Sequence, residues 1–312
     1  MFIDRLMDQI ELKHNPSVIG LDPLLEYVPE SIREKAQKKY GNTAKAAAKA
    51  LLSFNKGIID AICDIAPAVK PQLAYYEMYG YWGVKSFFKT VEYAKQKGLL
   101  VIVDGKRNDI GSTAGAYAKA YLGETALSDG ITERVFYGDA LTINPYLGID
   151  GVAPFLKECK NHGKGVYILV KTSNESSGQL QDLMLQNGKK VYEEVAELVE
   201  SWGADLIGRH GYSSVGAVVG ATYPEQAREL RKIMKHTCFL VPGFGAQGGT
   251  ASDAAAAFDE TGRGAIVNAS RSVLCAWKHE RWEGTYTHED FGTAARSETV
   301  RMRDELTGEL HV

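Results

Sequence analysis

Eight short apolar, β-branched runs punctuate the chain, at Ser17–Leu21, Ala68–Pro71, Leu99–Val103, Ala140–Ile143, Val166–Val170, Val215–Gly220, Phe239–Val241 and Ala265–Val267. Each is continuous rather than alternating, as expected of strands buried on both faces in a parallel sheet. Helical patterns fill the intervals, among them Ala44–Ile62, Gly83–Lys97, Lys189–Ser201, Pro224–Lys235 and Ser252–Phe258. Alternation of strand and helix through eight rounds predicts an α/β fold of the (β/α)8 TIM-barrel type, with a doubly wound open sheet as the alternative. Phe2, Ile3, Leu6, Met7 and Ile10 follow helical spacing and predict an N-terminal helix docked on the core. Two charged stretches read as additions to a single barrel domain spanning 1–277. Glu30–Asn42 predicts a solvated helix, and 278–312 a partly helical, peripheral C-terminal extension packed on the barrel, with no catalytic role.

Polar residues follow the apolar runs at their carboxyl ends, where barrel enzymes place their chemistry. These ends read Gly20-Leu21-Asp22-Pro23, Lys70-Pro71-Gln72, Asp104-Gly105-Lys106, Asn144-Pro145-Tyr146, Lys171-Thr172-Ser173, Pro242-Gly243-Phe244-Gly245 and Asn268-Ala269-Ser270-Arg271. One polar end is an ordinary turn; seven carrying Asp, Lys, Asn, Ser and Arg point to a site.

Composition narrows the ligand. A hydrophobic fraction of 45% supports a large core, and 36 basic against 39 acidic residues leave a formal charge of −3. That balance argues against nucleic acid and leaves room for a small anion held by a few placed cations. Cys63, Cys159, Cys238 and Cys275 form no CxxC pair, and neither they nor the seven histidines show metal-ligand spacing, so free thiols in a reducing cytoplasm and no metal are expected. No run approaches the roughly eighteen apolar residues of a membrane span. Asp4, Asp8 and Glu11 interrupt the N-terminal segment, which does not read as a signal peptide.

The sharpest feature is the run from Val101 to Thr113, in which an apolar strand delivers Asp104 and Lys106 at i and i+2, on one side while strand geometry persists. Asp109 follows three residues on. Alone, this is as readily a charged surface turn. Lys70, at another strand end, adds a second ammonium and completes a Lys/Asp/Lys/Asp array. The last two loops supply an anion grip: Gly243, Gly245, Gly248 and Gly249 permit close backbone approach, Gln247 an amide donor and Arg271 a bidentate cation. Barrels often bind phosphate after strands seven and eight. The Gly243–Gly248 run also fits GxGxxG, but it follows a late strand, and Asn268 stands where a dinucleotide site would need an acid. Asn144 reads as a turn former, His210 as a satisfied or solvent-facing histidine, and Tyr75, Tyr76, Tyr79 and Tyr81 as packing or interface residues.

The Asp-x-Lys-x-x-Asp-Ile-x-x-Thr run from Asp104 to Thr113 resembles the signature of the orotidine 5′-phosphate decarboxylase family. Gly20-Leu21-Asp22-Pro23, Lys70, Lys171-Thr172-Ser173-Asn174, Val218–Thr222, Pro242–Gly249 and Asn268-Ala269-Ser270-Arg271 extend the likeness over Phe2 to Trp277, closest to the longer bacterial subgroup. Glu175 departs from it, standing where that subgroup has proline. The resemblance implies conversion of orotidine 5′-phosphate to UMP and carbon dioxide without metal or organic cofactor. Lys106 would stabilise and protonate the ring carbanion, Asp104 would lie beside the substrate carboxylate, and Lys70 and Asp109 would flank the pair. Asp109 and Thr113 would reach the neighbouring subunit's site, so a homodimer is implied. Asp22 and Lys70 would bond ribose hydroxyls, and Ser173, or Thr172 beside it, the pyrimidine edge. Pro242, Gly245, Gln247 and Arg271 would complete substrate binding. Two other readings stay open: a related sugar-phosphate barrel working through a metal enediolate, and a non-catalytic phosphate-binding barrel.

Overall fold

The computed structural model describes residues 1–245 and 248–310. Eight parallel strands close into a barrel: β1 Ser17–Leu21, β2 Ala68–Pro71, β3 Leu100–Arg107, β4 Ala140–Ile143, β5 Gly165–Lys171, β6 Ser213–Val219, β7 Thr237–Val241 and β8 Ala265–Ala269. Each pairs with its sequence neighbours, and β8 closes on β1 through Ser17↔Val267 and Ile19↔Ala269. The closed parallel order excludes the open sheet. A small antiparallel ribbon, Thr125–Ala126 with Thr132–Glu133, lies outside the barrel.

The core has two parts because each strand buries both faces. Outward residues such as Ile19, Val69, Val101 and Val103 pack under the helices. Inward residues such as Val18, Ile102, Tyr167 and Leu240 fill the lumen, where the N-terminal helix Phe2–Lys13 adds Phe2, Ile3, Leu6 and Met7 as a plug. Phe2 meets the Tyr167 ring edge-on at 6.2 Å. Gly165 admits it, since a Cβ there would lie 2.3 Å from the Phe2 ring.

The strand read as ending at Val103 runs four residues further. Apolarity stops there, but the backbone ladder resumes at Arg107↔Ile143 beyond a bulge. The charged helix Glu30–Tyr40 buries only Ala36. The tail goes deeper than its polar sequence suggests. Helix Phe291–Leu310 packs against Ala44–Ile62 and contributes Ala295, Met302 and Leu306 to the main core. Only a short helix, Arg271–Leu274, follows β8 directly, so Phe291–Leu310 completes the outer helical ring. Among the described residues no helix is long and apolar enough to cross a membrane, and all four cysteines are free.

Candidate active site

A cavity of about 700 Å³ opens at the carboxyl ends of the barrel strands. Leu169, Val218 and Leu240 form apolar walls, while Lys70, Lys106 and Arg271 face two carboxylates, Asp22 and Asp104. Three cations against two anions suit an anionic ligand.

Strand geometry brings the central array together. Lys70 Nζ donates to Asp104 Oδ2 at 2.6 Å, and Lys106 Nζ donates to Asp104 Oδ1 at 2.7 Å. The Lys70 and Asp104 side chains are 6% and 8% exposed, whereas Lys106 is 46% exposed and reaches into the opening. Burial opposes ionisation of Asp104, but the Lys70 and Lys106 ammoniums override it and hold the carboxyl well below the usual carboxylate range. Burial likewise works against the Lys70 ammonium, and Asp104 and then Asp22 reverse it, so the lysine is raised. The i, i+2 expectation holds with one change. Lys106 sits in the left-handed region at φ 45°, within the bulge, rather than in regular strand geometry.

The other predicted residues divide. Asp22, Ser173, Pro242 and Arg271 line the cavity. Thr172 spends its polar groups locally: its N–H donates to Gln181 Oε1 and its hydroxyl to Asn174 Oδ1, while Gln181 Nε2 donates back to that hydroxyl. The Ser173 hydroxyl makes no hydrogen bond to a described residue. Its backbone presses on Gly220, where a Cβ would lie 2.9 Å from Ser173 Cα. Lys171 ends β5 but turns away from the cavity, its Nζ bonded to both Asp182 oxygens at 2.9 and 3.0 Å.

Gly245, at φ 70°, lies outside the cavity lining, its N–H donating to Gly249 O at 2.9 Å. A Cβ on Gly249 would meet Gly243 O at 2.7 Å, so position 249 needs glycine. Gln247 lies outside the described residues. Asp109 and Thr113 do not line the cavity of their own chain. Asp109 Oδ1 accepts from the Ile110 N–H at 2.8 Å, just before helix Gly111–Tyr121, beside a 54% exposed Ile110. Asn144 is the turn former expected, its Oδ1 accepting from the Tyr146 N–H. His210 is satisfied by Asp8.

Sequence reasoning assigned no binding role to Thr142, Tyr27, Tyr75, Gln181, Gln72 and Asn268, all on the cavity wall, although the last two stand at polar strand ends. A lone threonine in Ala140–Ile143 reads as a strand former, and Tyr75 reads as packing within a tyrosine cluster; neither carries a chemical signal. Asn268 had one, as a polar residue at a strand end. Asn268 Oδ1 and Asp22 Oδ1 are buried without a hydrogen-bond partner among the described residues, and hydroxyl donors on a ligand would satisfy them.

Residues 41–281 match the profile of the Orotidine 5′-phosphate decarboxylase / HUMPS family. The chain is 46% identical over 291 residues to an orotidine 5′-phosphate decarboxylase of Rhodopirellula baltica, covering 93% of each chain. It is 41% identical over 309 residues to one from Caldicellulosiruptor bescii, covering 99% of each. The structure of Leishmania donovani OMP decarboxylase superposes with a TM-score of 0.74 at 26% identity, over 100% of this chain and 99% of that one. The chain belongs to the orotidine 5′-phosphate decarboxylase / HUMPS family.

Proposed function

We propose that the protein decarboxylates orotidine 5′-phosphate to UMP and carbon dioxide, as a step of pyrimidine biosynthesis in the cytoplasm. The observation that carries this reading is the Lys70–Asp104–Lys106 array against an apolar-walled cavity. Breaking the carboxylate–ring bond leaves its electron pair on a ring carbon that has no electron sink. A fixed ammonium stabilises that charge as it develops and then donates the proton that completes UMP, which is the role of Lys106. Preorganised charge in a site that excludes water is the largest effect available for such a step. Asp104, ionised and immobile, stands beside the substrate carboxylate, and their repulsion is relieved as carbon dioxide departs.

Ser173, whose hydroxyl makes no hydrogen bond to a described residue, contacts the pyrimidine edge; Thr172 is occupied by Gln181 and Asn174. Asp22 and Lys70 take ribose hydroxyls. Arg271, with Pro242 and Gln247, binds the phosphate end, and Gly245, outside the cavity lining, supports them through its backbone turn. The sugar-phosphate alternative is not favoured: the relatives at 46% and 41% identity are orotidine 5′-phosphate decarboxylases by name, and both Asp104 oxygens already accept from ammonium or hydroxyl donors.

The working unit in this reading is a homodimer in which Asp109 and Thr113 complete the opposite subunit's site. Their place outside their own cavity, beside exposed Ile110, supports it. The test is a turnover assay following the ultraviolet absorbance of orotidine 5′-phosphate in the presence of chelator. Wild-type protein is expected to consume it, and Lys106→Ala to lose turnover while still binding UMP. An unchanged spectrum with wild type would favour the non-catalytic binder instead.

A further inference from the structure

The bulge in β3 leaves three residues, Asp104, Gly105 and Lys106, opposite one residue of β4, Thr142, between the pairs Val103↔Leu141 and Arg107↔Ile143. A bulge interrupts the ladder and strands backbone groups. Thr142 fills the gap with its side chain. The Lys106 backbone N–H donates to Thr142 Oγ1 at 3.0 Å, and the Thr142 hydroxyl donates to Asp104 Oδ1 at 2.8 Å. The proton placement is forced: a hydroxyl that accepts from an N–H and faces a carboxylate held ionised must give its one hydrogen to the carboxylate. Thr142 is 1% exposed, and its branched side chain has little freedom to turn away.

We propose that Thr142 is a positioning residue for the decarboxylation, its hydroxyl tying the strained Lys106 backbone to the Asp104 carboxylate. The inference rests on the activity proposed above. Two links join Lys106 to Asp104, the ammonium directly and the backbone through Thr142. The first alone leaves a long, half-exposed side chain to swing on its four-carbon stem. The second fixes the Cα from which that stem departs, at a backbone angle, φ 45°, that lysine rarely adopts. The same hydroxyl gives Asp104 Oδ1 its second donor, so the carboxylate plane is set by three contacts, from Lys70, Lys106 and Thr142. The link reaches the ribose end only through Lys70, whose own bond to Asp104 Oδ2 does not require the Thr142 hydroxyl, so its loss falls mainly on the chemical step.

The experiment compares wild type, Thr142→Val and Thr142→Ser in orotidine 5′-phosphate turnover and UMP binding. Thr142→Val keeps the shape and removes the hydroxyl; kcat is expected to fall about tenfold to a hundredfold while KM and UMP affinity change less than about threefold. Thr142→Ser restores the hydroxyl and is expected to return kcat to within about threefold of wild type. Should Thr142→Val not fold, Thr142→Cys takes its place with the same expectation, since a thiol cannot bridge the two groups at hydroxyl distances. A wild-type kcat in the variant lacking the hydroxyl, a loss confined to KM, or a Thr142→Ser loss as large as that of Thr142→Val overturns the proposal. Inactive wild-type protein would overturn the proposed activity instead, and the two failures are thereby distinct.

Discussion

Lys70 Nζ stands 2.6 Å from Asp104 Oδ2 with both side chains less than a tenth exposed. Removing one member of a buried pair typically costs about 3–5 kcal/mol and replacing both with apolar residues is often neutral; here the single loss falls at or below the low end of that range, because Lys106 and Thr142 still donate to Asp104 Oδ1. Lys70→Met is therefore expected to lose activity and stability together, and Lys70→Met/Asp104→Leu to regain stability in urea titrations without regaining turnover. The lowered Asp104 contributes stability above its unfolded pKa of about 4, lost as pH falls through the folded value. The raised Lys70 contributes below about 10.4, lost as pH rises through its folded value. The pair's contribution should thus stay level from about pH 5 to pH 9. A double variant less stable than Lys70→Met would contradict the account.

Asp109 offers a test of shared sites. If each site draws Lys106 from one chain and Asp109 from the other, Lys106→Ala and Asp109→Ala are each nearly inactive alone. Mixed by unfolding and refolding, half the dimers are mixed, and each of those carries one intact site. Recovered activity should approach about a quarter of wild type. Absence of recovery with mixed dimers confirmed by mass would count against sharing.

What was legible in the chain follows from what leaves a one-dimensional trace. The barrel is readable because strands buried on both faces are continuous apolar runs, and Asp104 and Lys106 because charge at the end of such a run is conspicuous. The bulge is not, since it is a relation of β3 to β4, and Gly105 alone does not announce it. Thr142 is silent for the same reason: its chemistry comes from the two groups opposite it. The deep packing of helix Phe291–Leu310 was hidden because its buried stripe, Ala294, Ala295, Thr299, Met302 and Leu306, is thin among charges.

That stripe makes the tail a stability element remote from the cavity. Met302 is 1% exposed and packed in the main core. Truncating such a methionine costs about 2–5 kcal/mol. Met302→Ala is expected to lower Tm by several degrees while kcat/KM at temperatures well below Tm stays within about twofold of wild type. A loss of kcat/KM with Tm unchanged would give the helix a functional role that its position does not predict.

Lys164 sets a separate pH dependence. Its side chain is 9% exposed, and its ammonium donates to Gly138 O at 2.7 Å and stands 3.9 Å from Asp139 Oδ1. Burial is the largest influence; Asp139 offsets it only in part, and the lysine is pushed down to about 8. Between about pH 8 and the ordinary lysine value near 10.4, the unfolded chain binds a proton that the folded chain has released, so stability rises with pH across that window. The charged form is the disfavoured one, so the penalty is fully present below about pH 8. Lys164→Met removes this titration. Wild type should gain on the variant by about 1–3 kcal/mol as pH rises from 7 to 10, measured by urea unfolding of both proteins at each pH. Parallel stability curves for the two would show that Lys164 titrates normally in the fold and that its amine is better solvated than its burial implies.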